Sequence, residues 1–279
     1  MATSVTNIYG ILYGCSSYNS PFNIPDTVIN CGRALQGTAF NQPITIPNNV
    51  EYCGWMLADT PFNQDITLPP HITMVNNIFR NSSFNANVNI DGRTNLCALL
   101  SGSKYNKSFT IPSGVTICTE LFEDMPYFNY DVYLPDSVQD AGAMLSNCQL
   151  FNSNVRLSSN LKQSSFMFSN CYNYNKPVTI PDTVEDMIYM FAECPQFNQP
   201  VHISNGLEPD NYRGVYGLFM GCTSFNQTVT IPDKPSSLKY TFYGCTSQNQ
   251  PIYMPSRFKD NIEIQNSWSQ QARSCIVWY

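Results

Sequence analysis

The chain has 279 residues, a formal net charge of −6, 43% hydrophobic residues and only 12% charged ones. That hydrophobic share supports a substantial core and argues against disorder, while the acidic balance (pI about 4.8) argues against a nucleic-acid partner, which needs a basic face. No apolar run approaches the roughly 18–20 residues needed to cross a bilayer, so no membrane insertion is expected.

At the N-terminus, Met1-Ala2-Thr3-Ser4-Val5-Thr6-Asn7 carries no basic residue and leads into no long apolar stretch. The expectation is that no secretory signal peptide is present. From there an aromatic-Asn pair recurs: Tyr18-Asn19, Phe40-Asn41, Phe62-Asn63, Phe84-Asn85, Tyr105-Asn106, Phe128-Asn129, Phe151-Asn152, Tyr174-Asn175, Phe197-Asn198 and Phe225-Asn226. Gln248-Asn249 keeps the Asn alone, and successive Asn residues lie 21–23 apart except for one interval of 28. A fixed period of this length is the signature of a solenoid.

Each unit continues with three residues of alternating character and usually a Pro, as in Ile44-Thr45-Ile46-Pro47 and Val178-Thr179-Ile180-Pro181. This reads as a short strand ended by a residue that cannot donate to a ladder. A second arc follows, ending in an apolar anchor such as Leu35, Leu57, Phe79, Phe122, Phe191 or Phe242. Its short apolar runs fit a strand or an irregular helical turn equally. A 22–23-residue unit cannot bury its own apolar face, but stacked units can. The predicted fold class is therefore a repeat solenoid of parallel β-strands with short turns or helical pieces. About 11 coils at roughly 4.8 Å each make a rod on the order of 50 Å long. Residues 1–255 form the solenoid. Residues 256–279, with Trp268, Trp278 and Tyr279, form a C-terminal cap or docking tail.

The unit Val178-Thr179-Ile180-Pro181-Asp182-Thr183-Val184, followed by Met190-Phe191-Ala192-Glu193-Cys194 and Phe197-Asn198-Gln199, resembles the BspA-like (Treponema pallidum type) leucine-rich repeats. The Met-Phe-x-x-Cys-x-x-Phe-Asn-Gln stretch is similar to surface-protein repeats of mycoplasmas and gut Firmicutes. The resemblance covers roughly residues 10–255 and implies a leucine-rich-repeat fold without catalysis. Such repeats also look like those of bacteriophage virion proteins, which need no signal peptide. The function expected is thus a virion fibre, decoration or tail-associated adhesin. The alternative is a bacterial cell-surface adhesin that binds a host protein or glycan.

The residue-level expectations follow from the columns. Asn41, Asn63, Asn85, Asn129, Asn152, Asn175, Asn198 and Asn226 read as an inward structural ladder that satisfies buried backbone groups. Six of the eleven cysteines share the column Cys15, Cys148, Cys171, Cys194, Cys222 and Cys245 and read as buried free thiols. Their spacing suits no zinc site, and with only His71 and His202 as histidines no cofactor, metal or catalytic dyad is expected. Asp26, Asp136, Asp182 and Asp233 read as caps of the turn that follows each strand. The middle residue of each strand must face away from the core. In that outward column Tyr133, Arg156, His202 and Tyr253 interrupt a run of Thr, and Tyr and Arg are enriched at interfaces. These four are the candidate binding surface. The insertion at 204–214 is expected as a surface loop. The sparse N-terminal flank is expected to attach to other virion proteins or to copies of the chain itself.

Overall fold

The computed structural model describes residues 4–72, 74–207 and 214–279. The candidate insertion at 204–214 falls outside the described residues over 208–213.

The coils stack as the period demands. The aromatic before each Asn points inward, and the rings pile up along the rod at 5.6–6.5 Å, from Tyr18 to Tyr105 and again from Phe128 to Phe225. A second inward ring, where present, lies against the first: Phe79 is 3.9 Å from Phe84, and Phe191 is 4.3 Å from Phe197. Offset stacks of this kind add to the burial of large apolar surface.

The strand column is thinner than expected. β1 (Ile66–Thr67) pairs in parallel with β2 (Val88–Asn89), and β3 (Val132–Tyr133) with β4 (Val155–Arg156). β5 (Val229–Thr230), β6 (Ile252–Met254) and β7 (Ile276–Trp278) form a third small sheet. In the first two sheets a carboxylate fixes the approach: Asp65 Oδ1 accepts from Asn87 N at 2.8 Å, and Asp131 Oδ1 from Asn154 N at 2.9 Å. Where Pro43, Pro177 and Pro200 stand in that column there is no N–H to clamp.

The second arc is neither a strand nor a helical turn. It is a run of overlapping turns with a left-handed residue every four positions, such as Arg33 (φ 55°) and Gly37 (φ 71°), or Tyr189 (φ 51°) and Glu193 (φ 55°). Alternate N–H groups donate within the coil, as Ala34 N to Cys31 O (3.1 Å). The others donate to the next coil, as Arg33 N to Gly54 O (3.0 Å) and Leu35 N to Met56 O (3.1 Å). A left-handed residue with a Cβ costs about 1–2 kcal/mol. The doubly bonded backbone offsets that cost.

The asparagines are corrected most. Asn63, Asn129 and Asn152 are exposed, and Asn41, Asn85, Asn175, Asn198 and Asn226 are half-buried, so the column is a surface feature. Consecutive side chains of an extended backbone point to opposite sides, and the preceding aromatic has taken the inside. Except at Asn106, each Oδ1 bends along the rod and accepts the backbone N–H of the next Asn, from Asn41 N on Asn19 to Asn249 N on Asn226, at 2.8–3.1 Å.

Beyond β6, a 3-10 turn (Ser256–Phe258), α1 (Ile262–Ser267), α2 (Gln270–Ser274) and β7 occupy the place of a further coil. Leu238 N donates to Glu263 Oε2 (3.2 Å) and Tyr240 N to Ser267 Oγ (2.9 Å), so side chains satisfy donors that a next coil would have taken. Trp268 is buried 4.6 Å from the Phe242 ring, whereas Tyr279 is exposed. At the other end Val5, Tyr9, Ile11 and Tyr13 are exposed on the first coil.

Candidate recognition flank

Tyr133, Arg156, His202 and Tyr253 all project from the strand side of the rod and are exposed. Each sits between two buried aliphatics, as in Val132-Tyr133-Leu134 and Val201-His202-Ile203, and this alternation sends the middle side chain out. The structure brings two of the four together: Tyr133 and Arg156 are register partners across β3 and β4. His202 and Tyr253 lie farther along the same flank. Thr179 occupies the flank between Arg156 and His202, and Thr230 is the register partner of Tyr253.

The flank is polar and internally braced. The Tyr133 hydroxyl donates to Asp131 Oδ2 at 3.0 Å, and that carboxylate raises the phenol above its usual value. Backbone donation from Asn154 first, then the Tyr133 hydroxyl, holds the Asp131 carboxyl below the usual range. His202 Nε2 lies 2.7 Å from Asp182 Oδ1. The turn carboxylates reach along the rod instead of capping their own turns. Asp136 Oδ1 accepts from Ser159 N (3.2 Å) and Asp182 Oδ1 from Asn205 N (2.9 Å), each one coil on, and Asp233 pairs with Arg257. Asx geometry inside one turn loses to a backbone donor in the next coil. Beside Arg156 an open cleft of about 420 Å³ is bounded by Asp136, Ser159, Thr179 and Pro181.

The opposite arc carries aromatics that sequence reasoning missed. Phe166 stacks on Tyr189 at 5.0 Å, and Tyr216 and Tyr240 continue the strip edge to face at 5.2 and 5.6 Å. Tyr189 lies flat over Gly217 (φ +62°), where a Cβ would meet its ring at 2.3 Å. Phe166, Tyr189 and Tyr240 are left-handed, which nothing in their residue types signals. The column four residues later is legible, because it holds Gly37, Asp59, Asn81, Gly102, Asp124, Asn147 and Gly221.

The buried column thiols are inert. All eleven cysteines are free, and Cys148, Cys171, Cys194, Cys222 and Cys245 are buried, whereas Cys15 in the same column is exposed on the first coil. Each buried one donates to a carbonyl of the preceding coil, as Cys194 Sγ to Phe168 O at 2.9 Å. Burial pushes all five thiols up, away from the reactive thiolate. Among the described residues no group of three His, Cys, Asp or Glu side chains is placed to hold a metal ion, and no helix is long and apolar enough to cross a membrane.

Against known proteins, the profile of a family described as "Mycoplasma protein of unknown function, DUF285" matches residues 112–183 and 158–255, together just over half of the chain. The chain belongs to this family. A leucine-rich repeat protein from Bacteroides ovatus ATCC 8483, known from a crystal structure, is similar over 99% of this chain and 88% of that one, at 17% identity and a TM-score of 0.50. The likeness shows the fold alone: a leucine-rich-repeat solenoid. No curated protein matches the chain.

Proposed function

We propose that this chain is a non-catalytic recognition rod of a bacterial cell surface, binding a host macromolecule through the strand flank with Tyr133 and Arg156 at its centre. The observation that supports it most is the register pairing of these two exposed side chains on the flank of a repeat scaffold. Solenoids offer extended surfaces of this kind for partners, and Tyr and Arg are the side chains that most often dominate interface energies. Membership of a family with surface-repeat resemblance favours the cell surface over the virion as carrier.

The test has two parts. Protease shaving of intact cells, with mass spectrometry of the released peptides beside purified phage particles from the same culture, distinguishes the carriers. Shaved peptides support the surface reading, and enrichment in particles replaces it with the virion. Binding of the purified rod to intact host cells is then compared with that of a variant carrying Tyr133→Ala and Arg156→Ala. A loss of about tenfold or more is expected, as for two central hot-spot residues. Equal binding by the two overturns the flank reading.

A further inference from the structure

The stack is interrupted at one place. Between Tyr105 and Phe128 the inward rings do not stack, and among the described residues Asn106 is the one ladder residue between Asn19 and Asn226 whose Oδ1 takes no N–H from the next Asn. Phe109 stands at the break. Its position holds Ile44, Ile66, Val88, Val132, Val155 and Val178 in other coils, and Phe22 in the first, where the ring is also edge-on to its tyrosine but the stack and the Asn ladder continue. The Phe109 ring stands edge-on between Tyr105 (5.9 Å, 83°) and Phe122 (5.6 Å, 84°). On the arc side the coils stay joined, with Ala98 N on Thr119 O (2.9 Å) and Gly102 N on Glu123 O (2.8 Å). The coils therefore part on one edge only. The Tyr130 hydroxyl donates across the gap to Asn106 O at 3.1 Å and stops it from opening further.

The parted edge leaves a cleft of about 370 Å³ between Lys104-Tyr105-Asn106 and Asp124-Met125-Pro126-Tyr127. Its floor is apolar, since Tyr105, Met125 and Phe128 are buried. Tyr127, 74% exposed, stands at its mouth. Two charges line it, and one is spent: Asp124 accepts from Arg80 Nη2 and from Asn147 Nδ2, both at 2.8 Å. The Lys104 ammonium is exposed and pairs with no carboxylate among the described residues. The free charge of the cleft is thus a single cation on a chain whose net charge is −6. The rim, with Gly102, Asn106 and Tyr127, is made of residue types that adaptable protein-binding surfaces favour.

We propose that this cleft is an anchor site for a protein partner, seating one aromatic or branched aliphatic side chain between Tyr105 and Met125 while a carboxylate next to it in the partner's sequence pairs with Lys104. An apolar anchor in a pocket with a polar rim is the usual centre of a protein interface, and the unpaired cation selects the neighbour. The proposal rests on the reading of the chain as a recognition protein, but it concerns a site apart from Arg156.

The probe is a set of synthetic peptides of the form Ac-Gly-Ser-Leu-Asp-Ser-Gly-NH2, with Leu replaced by Phe or Ala and Asp by Lys. Binding is read from the Met125 methyl signal in the protein labelled at methionine methyls. The Leu-Asp and Phe-Asp peptides should shift that signal saturably, and the Ala-Asp and Leu-Lys peptides should not. Lys104→Glu, on an exposed side chain, should weaken the Leu-Asp peptide about tenfold and make Leu-Lys the better ligand. Met125 unmoved by every peptide, or moved alike by the Asp and Lys series, overturns the proposal. So does Met125 responding to chito- or cello-oligosaccharides and not to peptides, which would make the cleft a glycan site. Arg156→Ala should leave the peptide response intact. The cleft and the flank can therefore fail independently.

Discussion

The coils that carry Phe40, Phe62, Phe84 and Tyr105 and those that carry Phe151, Tyr174, Phe197 and Phe225 solve the same problem differently. Each must satisfy the backbone N–H of a buried inward aromatic. In the first group a hydroxyl two residues earlier does it: Thr38, Thr60, Ser82 and Ser103 Oγ accept at 3.2–3.3 Å. In the second group one more residue is inserted, and the N–H reaches a backbone carbonyl three residues back, as Phe197 N to Cys194 O at 3.0 Å. The freed side-chain position then holds a buried thiol. The 22- and 23-residue periods are thus two ways of closing one turn, and the parted edge at Phe109 lies where they meet. The family profile begins at residue 112, on the far side of that boundary.

Raising the pH should give the largest effect and weigh more on the coils with column thiols, although burial also raises Cys31, Cys53 and Cys97 in the first group. Burial holds the five column thiols well above the ordinary value of 9.0, so as pH rises the unfolded chain loses these protons first. Stability that is fully present below pH 9 is therefore lost above it, by about 1.4 kcal/mol per thiol at pH 10. Urea unfolding at pH 7 and pH 10 should show a fall of several kcal/mol, reduced in a variant with Cys171→Ala and Cys194→Ala. A stability unchanged between the two pH values would mean that the thiols are not buried as described.

The closing turn itself can be probed by substitution. Thr60→Val keeps the shape but orphans the Phe62 N–H, and should cost about 1–3 kcal/mol in thermal or urea denaturation. Cys194→Ala leaves the backbone turn intact and should cost only about 1 kcal/mol, from lost apolar burial. The reverse order would break the comparison.

The Asn column gives the smallest and most selective effect. Asn175→Ala removes an acceptor from a half-buried N–H and should cost about 0.5–1.5 kcal/mol. Asn106→Ala, at the parted edge, removes an acceptor that no N–H uses and should cost close to nothing. Equal losses at the two sites would close the gap that the structure shows there.

Periodicity carried the stacking order and the inward rings, because a repeat constrains every coil at once. It also placed the outward column, since a period of two leaves each middle residue no other side. It misread what depends on one residue more or less. The Asn side chains face out because the neighbouring aromatic is larger and takes the core. The arc is neither strand nor helix because its left-handed positions hold Arg33, Trp55, Phe166 and Tyr240, types that usually avoid that region. The two coil types stand in the sequence as Thr-x-Phe against Cys-x-x-Phe, but averaging the period over all coils hides them. Of the four flank candidates only Tyr133 and Arg156 meet, since pairing along the rod depends on which coils are adjacent.

Photo-crosslinking from single positions on the native surface tests the flank most directly. Benzoylphenylalanine is placed at Tyr133 or Tyr253 on the flank, or at Phe166 or Tyr243 on the arc. All four are exposed aromatics, so the fold should accept each change. With cells displaying the rod held against host cells, illumination should give a shared crosslinked product from position 133, weaker product from 253 and none from 166 or 243. Product from the arc positions alone, or none from any position under conditions where the cells adhere, would contradict recognition through the strand flank.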